Sequence, residues 1–391
     1  MKTNKIKMFL VLAMSLVLTN SFSQYNSVIK TGADQTGEYL SYLKGKNVAM
    51  TINQSSIIGN QLSLDSLISL GIKVVIGFNP EHGFRGGNNY STIDEKTGIP
   101  IKSLYRKDTN KPTPKDLKGV DVMIFDMQDV GTRFYTYSST LHYVMEACAE
   151  NNVELIVLDR PNPNDSYVDG PILEEKFKSF VGLDPVPIVH GMTFGEYAEM
   201  LNGEGWLENK VKCKLKVIKM LNYKHGKQYN LPVPPSPNLN TQQSILLYPS
   251  LCLFEGTVIS QGRGTYFPFQ VLGNPELKYK YSFSFKPVSI IGMSVNPPLL
   301  DKDCFGLDLQ EYNTNIFKET GRINLSWLIE FYSAYPNKNE FFKKDKFDSL
   351  AGTNKLREQI IAGNTEKEIR DSWEPGLSQY KAIREKYLIY K

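Results

Sequence analysis

Four short apolar runs in the first half of the chain each end in polar residues. The runs cover 47–52, 73–78, 120–125 and 153–158, and short apolar runs of this kind predict buried strands. The third run leads into the stretch from Asp126 to Tyr137, which holds two carboxylates, an amide, a guanidinium and two phenols. Because buried polar groups are costly without partners, this stretch predicts a ligand site.

Residues with helical spacing separate these runs. Leu141, Val144, Met145 and Cys148 fall on one stripe of a helix predicted over 140–152. Alternating strands and helices predict an α/β fold with a parallel sheet covered on both faces. Ligands of such sheets bind beyond the carboxyl ends of the strands, so we expect the active site at that edge.

The beginning of the chain has the pattern of an export signal. Lys2, Lys5 and Lys7 precede an apolar run over 8–18, and small residues occur before Gln24. The apolar run is too short to span a bilayer, and no cysteine at the predicted cleavage point could carry a lipid. We therefore expect residues 1–23 to be removed from an exported protein, periplasmic or extracellular, with no membrane anchor.

Composition excludes some classes of partner. The formal net charge of +4 includes the three lysines of the expected signal, so the rest of the chain is nearly neutral. Nucleic-acid binding needs a concentrated basic face, which the sequence lacks, so we expect no nucleic acid as a partner. The length fits two domains, which we place at 24–245 and 246–391.

The four cysteines are too few and too scattered for a disulfide-dense scaffold. Cys148 lies on the apolar helix stripe and is expected in the core. One disulfide among Cys213, Cys252 and Cys304 is permitted but not predicted.

The candidate chemical groups follow the predicted strands. Glu81 comes directly after the second run and is the best candidate for a general acid, although it could instead accept turn hydrogen bonds. Asp126 and Asp129 could orient or stabilise a cationic transition state, or one of them could pair with Arg133. Asp126, at the strand end, is preferred as the site residue.

Histidines differ in their expected roles. His190 lies just outside a predicted helix start and is free to face a ligand, whereas Glu196, inside that helix, is expected to be structural. His225 lies among lysines and is expected to be solvated. Asp159 and Arg160 also end a strand, and we expect them to pair with each other.

Two capping boxes mark helix starts, one at Thr193 and Glu196 and one at Thr365 and Glu368. The second helix is expected to be interrupted at Pro375, after which a closing helix follows.

The second half holds two further candidates. The proline-rich segment 231–238 is either a linker or a rigid wall of the cleft. Arg263 lies between two glycines, so the loop backbone can approach a ligand closely while the guanidinium meets an anion.

These motifs together resemble the NamZ family of exo-β-N-acetylmuramidases. The segments that carry the resemblance are 79–86, 125–137, 158–163, 190–193, 235–238 and 254–257, and the match extends to Trp373. The resemblance implies an exo-acting glycoside hydrolase that removes non-reducing-end N-acetylmuramic acid from peptidoglycan fragments. It also implies a Rossmann-like domain joined to a smaller α+β auxiliary domain, with the active site in the cleft between them and peptidoglycan-derived muramyl saccharides as partners.

The resemblance carries over to particular positions. Glu81 matches the proposed catalytic glutamate of the family, and Asp126 and His190 are expected to be catalytic with it. Substrate-binding residues are expected among the neighbouring motifs: His82, Gln128, Asp129, Arg133, Tyr135, Glu255 and Arg263. Gln261 departs from the pattern, since many relatives carry glutamate there, and this puts substrate preference or rate in doubt.

Cleaving a β-glycoside requires a proton donor and a group that stabilises the oxocarbenium-like centre. Glu81 supplies the first. The second is either a carboxylate such as Asp126, or the substrate's 2-acetamido group polarised by Asp126 or Asp129. The lactyl carboxylate of muramic acid suits bidentate binding by Arg263 or Arg133.

Two other classes stay open at this point. A metal-dependent hydrolase would use Glu81, His82, Asp126 and His190, although their spacing has no ligand signature. A non-catalytic exported saccharide-binding protein would also have two lobes and a polar cleft. The sequence has no glycine-rich nucleotide motif, no Gly-x-Ser-x-Gly and no His-Glu-x-x-His, so we expect no cofactor and no resident metal.

Overall fold

The computed structural model describes residues 28–81, 83–86, 92–106 and 109–391. The expected export signal at 1–23 and the candidate His82 lie outside the described residues. None of the described helices is both long enough and apolar enough to cross a bilayer.

The described strands form a parallel sheet, an antiparallel sheet and a short hairpin. In chain order they are β1 (Val48–Ile52), β2 (Ile57–Ile58), β3 (Gln61–Leu62), β4 (Val74–Asn79), β5 (Ile101–Ser103), β6 (Val122–Asp126), β7 (Glu154–Leu158), β8 (Leu215–Ile218), β9 (Val271–Asn274), β10 (Phe283–Phe285) and β11 (Cys304–Asp308). The larger sheet has six strands in the order β5-β4-β1-β6-β7-β8. All its pairings are parallel, which confirms the predicted Rossmann-like α/β fold.

Helices cover the sheet and build most of the C-terminal part. They are α1 (Leu40–Leu43), α2 (Ser63–Ser69), α3 (Tyr137–Glu150), α4 (Phe194–Glu204), α5 (Gln242–Leu251), α6 (Asn315–Thr320), α7 (Ser326–Ala334), α8 (Lys344–Ala351), α9 (Lys355–Ile361) and α10 (Glu366–Arg384). The domain boundary predicted between 245 and 246 falls within α5, and the division stays a prediction.

The two faces of the parallel sheet bury separate apolar clusters. Alternate residues of a strand point to opposite faces, so Val48 and Met50 pack with Leu64 and Leu67 of α2 on one face. The opposite face packs against α3 and α4, and this core continues without interruption into the C-terminal part. Cys148 lies in this second core, as expected, and all four cysteines are free thiols that are buried.

The smaller C-terminal part contains an antiparallel three-stranded sheet, ordered β10-β11-β9, and the helices α6 to α10. Both predicted capping boxes are present, at the starts of α4 and α10. The expected break at Pro375 is wrong, because α10 runs through it from Glu366 to Arg384. The buried residues Ile369, Trp373, Leu377 and Tyr380 hold one face of the helix against the core on both sides of the proline.

The end of the chain returns to the parallel-sheet part and is held there by charged side chains. Glu196 Oε1 accepts hydrogen bonds from the backbone N–H groups of Ile389 (2.8 Å) and Tyr390 (3.3 Å). His225 lies between Glu196 (Nε2 to Oε1, 2.9 Å) and Asp165 (Nδ1 to Oδ2, 2.7 Å). The expectation that His225 is solvated is therefore wrong, because folding places its side chain between two buried acids.

We predict that this contact makes stability depend on pH. Burial alone would lower the pKa of His225, but Asp165 and Glu196 outweigh it and raise that pKa from 6.5 to about 9. A raised folded-state pKa stabilises the fold fully below about pH 6.5, and this contribution is lost as pH rises through about 9. His225→Gln should therefore lower the melting temperature strongly at pH 6 and much less at pH 10. An equal loss of melting temperature at pH 6 and at pH 10 would contradict the assignment of a positive charge to His225.

Candidate active site

A cavity of about 320 Å³ lies between the carboxyl edge of the parallel sheet and the C-terminal part. Its sheet side is formed by residues that follow β4, β5 and β6, and its other side by residues from α5, α8 and the loops around them. The lining residues include Glu81, Tyr105, Phe134, Tyr135, Tyr137, Phe180, Ser236, Asn238, Tyr248, Glu255, Arg263, Phe269 and Leu350. The edge predicted from the strand pattern is thus one wall of this cavity.

Glu81 is exposed at the carboxyl end of β4 and lines the cavity. The phenol of Tyr105 hydrogen-bonds with it, and burial together with the Glu81 charge raises the pKa of Tyr105. The Tyr105 oxygen also lies 2.7 Å from Thr136 Oγ1. A phenol that stays protonated at neutral pH can hold the Glu81 carboxyl group in one orientation.

The proline-rich segment 231–238 contributes to the cavity wall. Tyr135 donates a hydrogen bond from its hydroxyl to the carbonyl of Pro235 (3.0 Å). Gln54 donates to the same carbonyl (3.1 Å), and Ser236 lines the cavity. Of the two alternatives for this segment, these contacts favour a fixed wall over a linker.

Three charged side chains form a cluster on the C-terminal side of the cavity. Glu255 Oε1 accepts hydrogen bonds from Arg263 Nε (2.9 Å) and Nη2 (2.6 Å), and Glu255 Oε2 lies 3.3 Å from Lys346 Nζ. Burial would raise the pKa of Glu255, but the charges of Arg263 and Lys346 outweigh it and lower that pKa. One carboxylate is therefore shared by two cations, and the cluster carries a net positive charge.

Gln261 belongs to the same cluster. Its amide nitrogen lies 3.3 Å from Glu255 Oε1, and the residue is buried. A glutamate at this position, as in the family pattern, would place a second carboxylate against Glu255. Gln261 is neutral, so Glu255 is the carboxylate of this cluster among the described residues, beside the two cations.

Asp126 lies below the cavity lining. It is fully buried, and its Oδ1 accepts a hydrogen bond of 2.6 Å from Arg160 Nε. Arg160 also donates to the carbonyl of Ile57 (2.7 Å). The Arg160 guanidinium therefore pairs with Asp126 and not, as predicted, with Asp159, which accepts only the Arg160 backbone N–H (3.1 Å). The ion pair gives Asp126 a structural contact, its Oδ2 is buried without a hydrogen-bond partner in the described residues, and its catalytic role stays a prediction.

The Asp159 carboxylate binds two other elements of the fold. Its carboxylate accepts hydrogen bonds from the Thr193 hydroxyl (2.7 Å), the Gly195 N–H (2.8 Å) and the Tyr390 hydroxyl (2.7 Å). It therefore connects β7 with the start of α4 and the end of the chain.

His190 and Asp129 face each other in the same buried layer. His190 Nε2 lies 3.2 Å from Asp129 Oδ2, and His190 Nδ1 accepts a hydrogen bond from the Met192 N–H (3.2 Å). Gln128 is also buried and donates to the carbonyls of Asp129 (2.8 Å) and Pro161 (2.7 Å). Neither His190 nor Gln128 lines the cavity, and His190 Nε2 and both Asp129 carboxylate oxygens are buried without a hydrogen-bond partner in the described residues. The expected roles of His190 in catalysis and of Gln128 and Asp129 in substrate binding stay predictions.

Arg133 is almost fully buried, and its guanidinium donates only to backbone carbonyls in the described residues. Nη1 binds the carbonyls of Pro171 (3.0 Å) and Val186 (2.7 Å), and Nη2 those of Leu350 (3.1 Å) and Ala351 (2.7 Å). Burial lowers the pKa of Arg133 to about 10. Nη1 and Nη2 are used in this way, Nε is buried without a hydrogen-bond partner in the described residues, and Arg133 does not line the cavity.

The structure therefore divides the predicted site residues into two groups. Glu81, Tyr135, Glu255 and Arg263 line one cavity, whereas the other described candidates are buried and do not line it: Asp126, Gln128, Asp129, Arg133 and His190. Sequence reasoning missed Tyr105 and Lys346, which contact Glu81 and Glu255. Tyr105 follows β5, a strand too short to show a pattern, and Lys346 is an ordinary charge on a helix surface.

A metal centre of the predicted composition is not assembled in the described part of the chain. Glu81 lines the cavity, whereas Asp126 binds Arg160 and His190 faces Asp129. No cluster of at least three His, Cys, Asp or Glu side chains suited to a metal ion occurs among the described residues.

Two family models match consecutive parts of the chain. The description "Exo-beta-N-acetylmuramidase NamZ, N-terminal" matches residues 48–243, and its C-terminal counterpart matches residues 246–390. A Bacillus subtilis (strain 168) protein, the peptidoglycan β-N-acetylmuramidase NamZ, is 40% identical over 387 residues, covering 93% of this chain and 91% of that protein. The chain belongs to the NamZ family of exo-β-N-acetylmuramidases.

Two crystal structures of Bacteroides fragilis NCTC 9343 proteins, described as members of the DUF1343 family, have the same fold. One is 45% identical with a TM-score of 0.87, and the other is 30% identical with a TM-score of 0.80. Each comparison covers 93% of this chain and 99% of the other. Family membership thus agrees with the motifs that carried the resemblance, and it gives no support to the metal-dependent or non-catalytic alternatives.

The contacts of Asp126 yield a prediction that separates a structural from a catalytic role. Asp126→Asn leaves Arg160 buried without a charged partner, and breaking a buried ion pair in this way costs about 3–5 kcal/mol of stability. We expect urea unfolding to show that loss while kcat of the folded protein changes little. An Asp126→Asn/Arg160→Met double variant, which removes both charges, should recover part of the stability. A large loss of kcat at unchanged stability would restore Asp126 to the catalytic group.

Proposed function

We propose that this glycoside hydrolase releases N-acetylmuramic acid from the non-reducing end of peptidoglycan fragments, with Glu81 as the general acid. One observation carries the proposal: Glu81, Glu255 and Arg263 line a single cavity, and Lys346 lies beside Glu255. A proton donor on one wall and an anion receptor on the other match a sugar that carries both a glycosidic bond and a lactyl carboxylate.

Glu81 supplies the proton that the leaving group needs. Its carboxyl group donates a proton to the glycosidic oxygen as the bond from that oxygen to the anomeric carbon breaks, and the electron pair stays on the leaving oxygen. Tyr105 orients Glu81 through the hydrogen bond between them. The substrate's 2-acetamido oxygen bonds to the anomeric carbon as the leaving group departs; water then displaces that oxygen from the carbon, and its proton returns to the Glu81 carboxylate.

The group that stabilises the oxocarbenium-like centre is the substrate's own 2-acetamido group in this proposal. Among the described residues of the cavity lining, the carboxylates are Glu81 and Glu255. Glu255 is bound by Arg263, Gln261 and Lys346, and Asp126 is bound by Arg160 below the lining. These pairings leave neither carboxylate well placed as a nucleophile.

Arg263 selects muramic acid in this arrangement. Glu255 binds Arg263 through Nε and Nη2, and Arg263 lies 5.1 Å from the ring centre of Phe269, so the guanidinium is fixed in orientation. An Arg–carboxylate hydrogen bond is among the stronger ones available to a protein. Lys346 adds charge to the same region, so a sugar without the lactyl carboxylate loses an attractive contact.

We also propose that the protein is exported. The basic start and apolar run of residues 1–23 support it, and peptidoglycan lies outside the cytoplasmic membrane. We infer that the protein acts in the periplasm or outside the cell on muramyl saccharides.

Replacing the proton donor should abolish most turnover. Glu81→Gln keeps the shape of the side chain but cannot donate an acidic proton, and general acid catalysis is typically worth about 10²–10⁴-fold. We expect a loss of kcat in that range on a chromogenic N-acetylmuramoside with a poor leaving group, and a smaller loss with a good one. Glu374→Gln, which removes a surface carboxylate of α10, should keep wild-type kinetics. Wild-type turnover by Glu81→Gln would exclude Glu81 as the acid.

Selectivity should depend on Arg263. Losing a hydrogen bond to a charged partner costs roughly 1.5–3 kcal/mol, which is about one to two powers of ten in kcat/KM. Arg263→Ala should therefore lower kcat/KM for the muramoside far more than any residual cleavage of the matching glucosaminide. Lys346→Ala, which removes the more exposed cation of the cluster, should also lower kcat/KM for the muramoside, by a smaller factor. Equal losses on both substrates would assign Arg263 to holding its loop.

A further inference from the structure

We propose that Arg133 is a positioning residue that sets the distance between the two walls of the substrate cavity. Its guanidinium binds backbone carbonyls on both sides, at Pro171 and Val186 in the parallel-sheet part and at Leu350 and Ala351 in the C-terminal part. The inference rests on the proposed function, because it concerns the cavity in which the sugar is bound.

On the sheet side, Arg133 directly precedes the residues that form the cavity wall. The next residue, Phe134, lines the cavity, as do Tyr135 and Tyr137. The Arg133 backbone N–H also donates to the carbonyl of Ile188 (2.8 Å), so main chain and side chain are both fixed. A shift of the guanidinium therefore moves the wall that holds the two phenols.

On the opposite side, Arg133 holds the carboxyl end of α8. Leu350 both accepts a hydrogen bond from Arg133 and lines the cavity, and Lys346 of the positive cluster lies one turn earlier on the same helix. Helix carboxyl ends carry partial negative charge and unpaired carbonyls, which a guanidinium satisfies.

The helix α8 in turn fixes Glu255. Gly256, the residue after Glu255, packs so closely that a Cβ there would lie 2.5 Å from Phe347 Cα of α8. A movement of α8 is therefore transmitted to the Glu255, Arg263 and Lys346 cluster. Arg133 connects this cluster to the wall that carries Glu81 and the phenols, although it touches no substrate.

The side chain of Arg133 is packed closely against two glycines. Gly352, which follows α8 with φ +74°, would place a Cβ 2.5 Å from Arg133 Nη2, and a Cβ on Gly182 would lie 3.1 Å from Arg133 Cδ. A side chain larger than that of glycine at position 182 or 352 would therefore press against Arg133. Lysine has a single ammonium and cannot serve carbonyls on both walls in the planar geometry of arginine.

Two glycine variants test the inference without removing Arg133. Gly352→Ala pushes against the guanidinium, whereas Gly363→Ala carries the same backbone strain at φ +80° with no other atom within 4 Å of its Cβ. We expect Gly352→Ala to raise KM for the muramoside about ten- to a hundred-fold over Gly363→Ala, since small misplacements in a binding site have effects of that size. The dissociation constant of N-acetylmuramic acid, measured by calorimetry, should rise in parallel.

Arg133→Lys provides a second measurement. We expect it to raise KM for the muramoside as much as Gly352→Ala does, and to change kcat less than KM. If that variant does not fold, the glycine pair decides. Equal KM values and equal dissociation constants for Gly352→Ala and Gly363→Ala would overturn the inference. Failure of wild-type protein to cleave the muramoside would instead contradict the proposed function, and the calorimetric comparison would still test the role of Arg133.

Discussion

The architecture depends on one constraint: the parallel strands end in charged and polar residues that folding buries, and each of these must be satisfied inside the protein. Asp126 Oδ1 binds Arg160, and Asp159 accepts hydrogen bonds from the start of α4 and from the end of the chain. In the described residues, Asp126 Oδ2 and both carboxylate oxygens of Asp129 are buried without a hydrogen-bond partner. His190 faces Asp129 in the same layer. The result is a buried polar layer in which Asp126 Oδ1 and Asp159 have partners from distant parts of the chain. The active-site wall rests on this layer.

This layer explains why so few of the charged residues at the sheet edge reach the cavity. A buried ion pair is costly to break, so Asp126 and Arg160 cannot exchange partners with a passing ligand. Glu81 differs because it follows its strand into a turn and stays exposed. The cavity thus obtains its acid from the sheet and its positive charge from the C-terminal part. In the proposed function, a muramic acid residue is bound only when these two groups are held on opposite walls of the cavity.

The sequence was informative about motifs and less so about roles. Glu81, Glu255 and Arg263 were expected in the cleft, and all three line the cavity. Asp126 and His190 were expected beside them on the same kind of evidence, yet both are completely buried. The sequence pattern around a polar residue at a strand end is the same whether the side chain contacts a ligand or a neighbouring loop. Its role depends on which distant segment packs over it.

By itself, the sequence determined the elements that depend on local pattern: the parallel strands, the two capped helix starts and the α/β class, since strand and helix periodicity are properties of neighbouring residues. The family was also evident from its ordered motifs. Only the tertiary structure decided that Arg133 binds carbonyls from both walls, that Tyr105 contacts Glu81, and that α10 continues through Pro375. These outcomes depend on contacts between segments far apart in the chain, and packing energy there outweighs local preference.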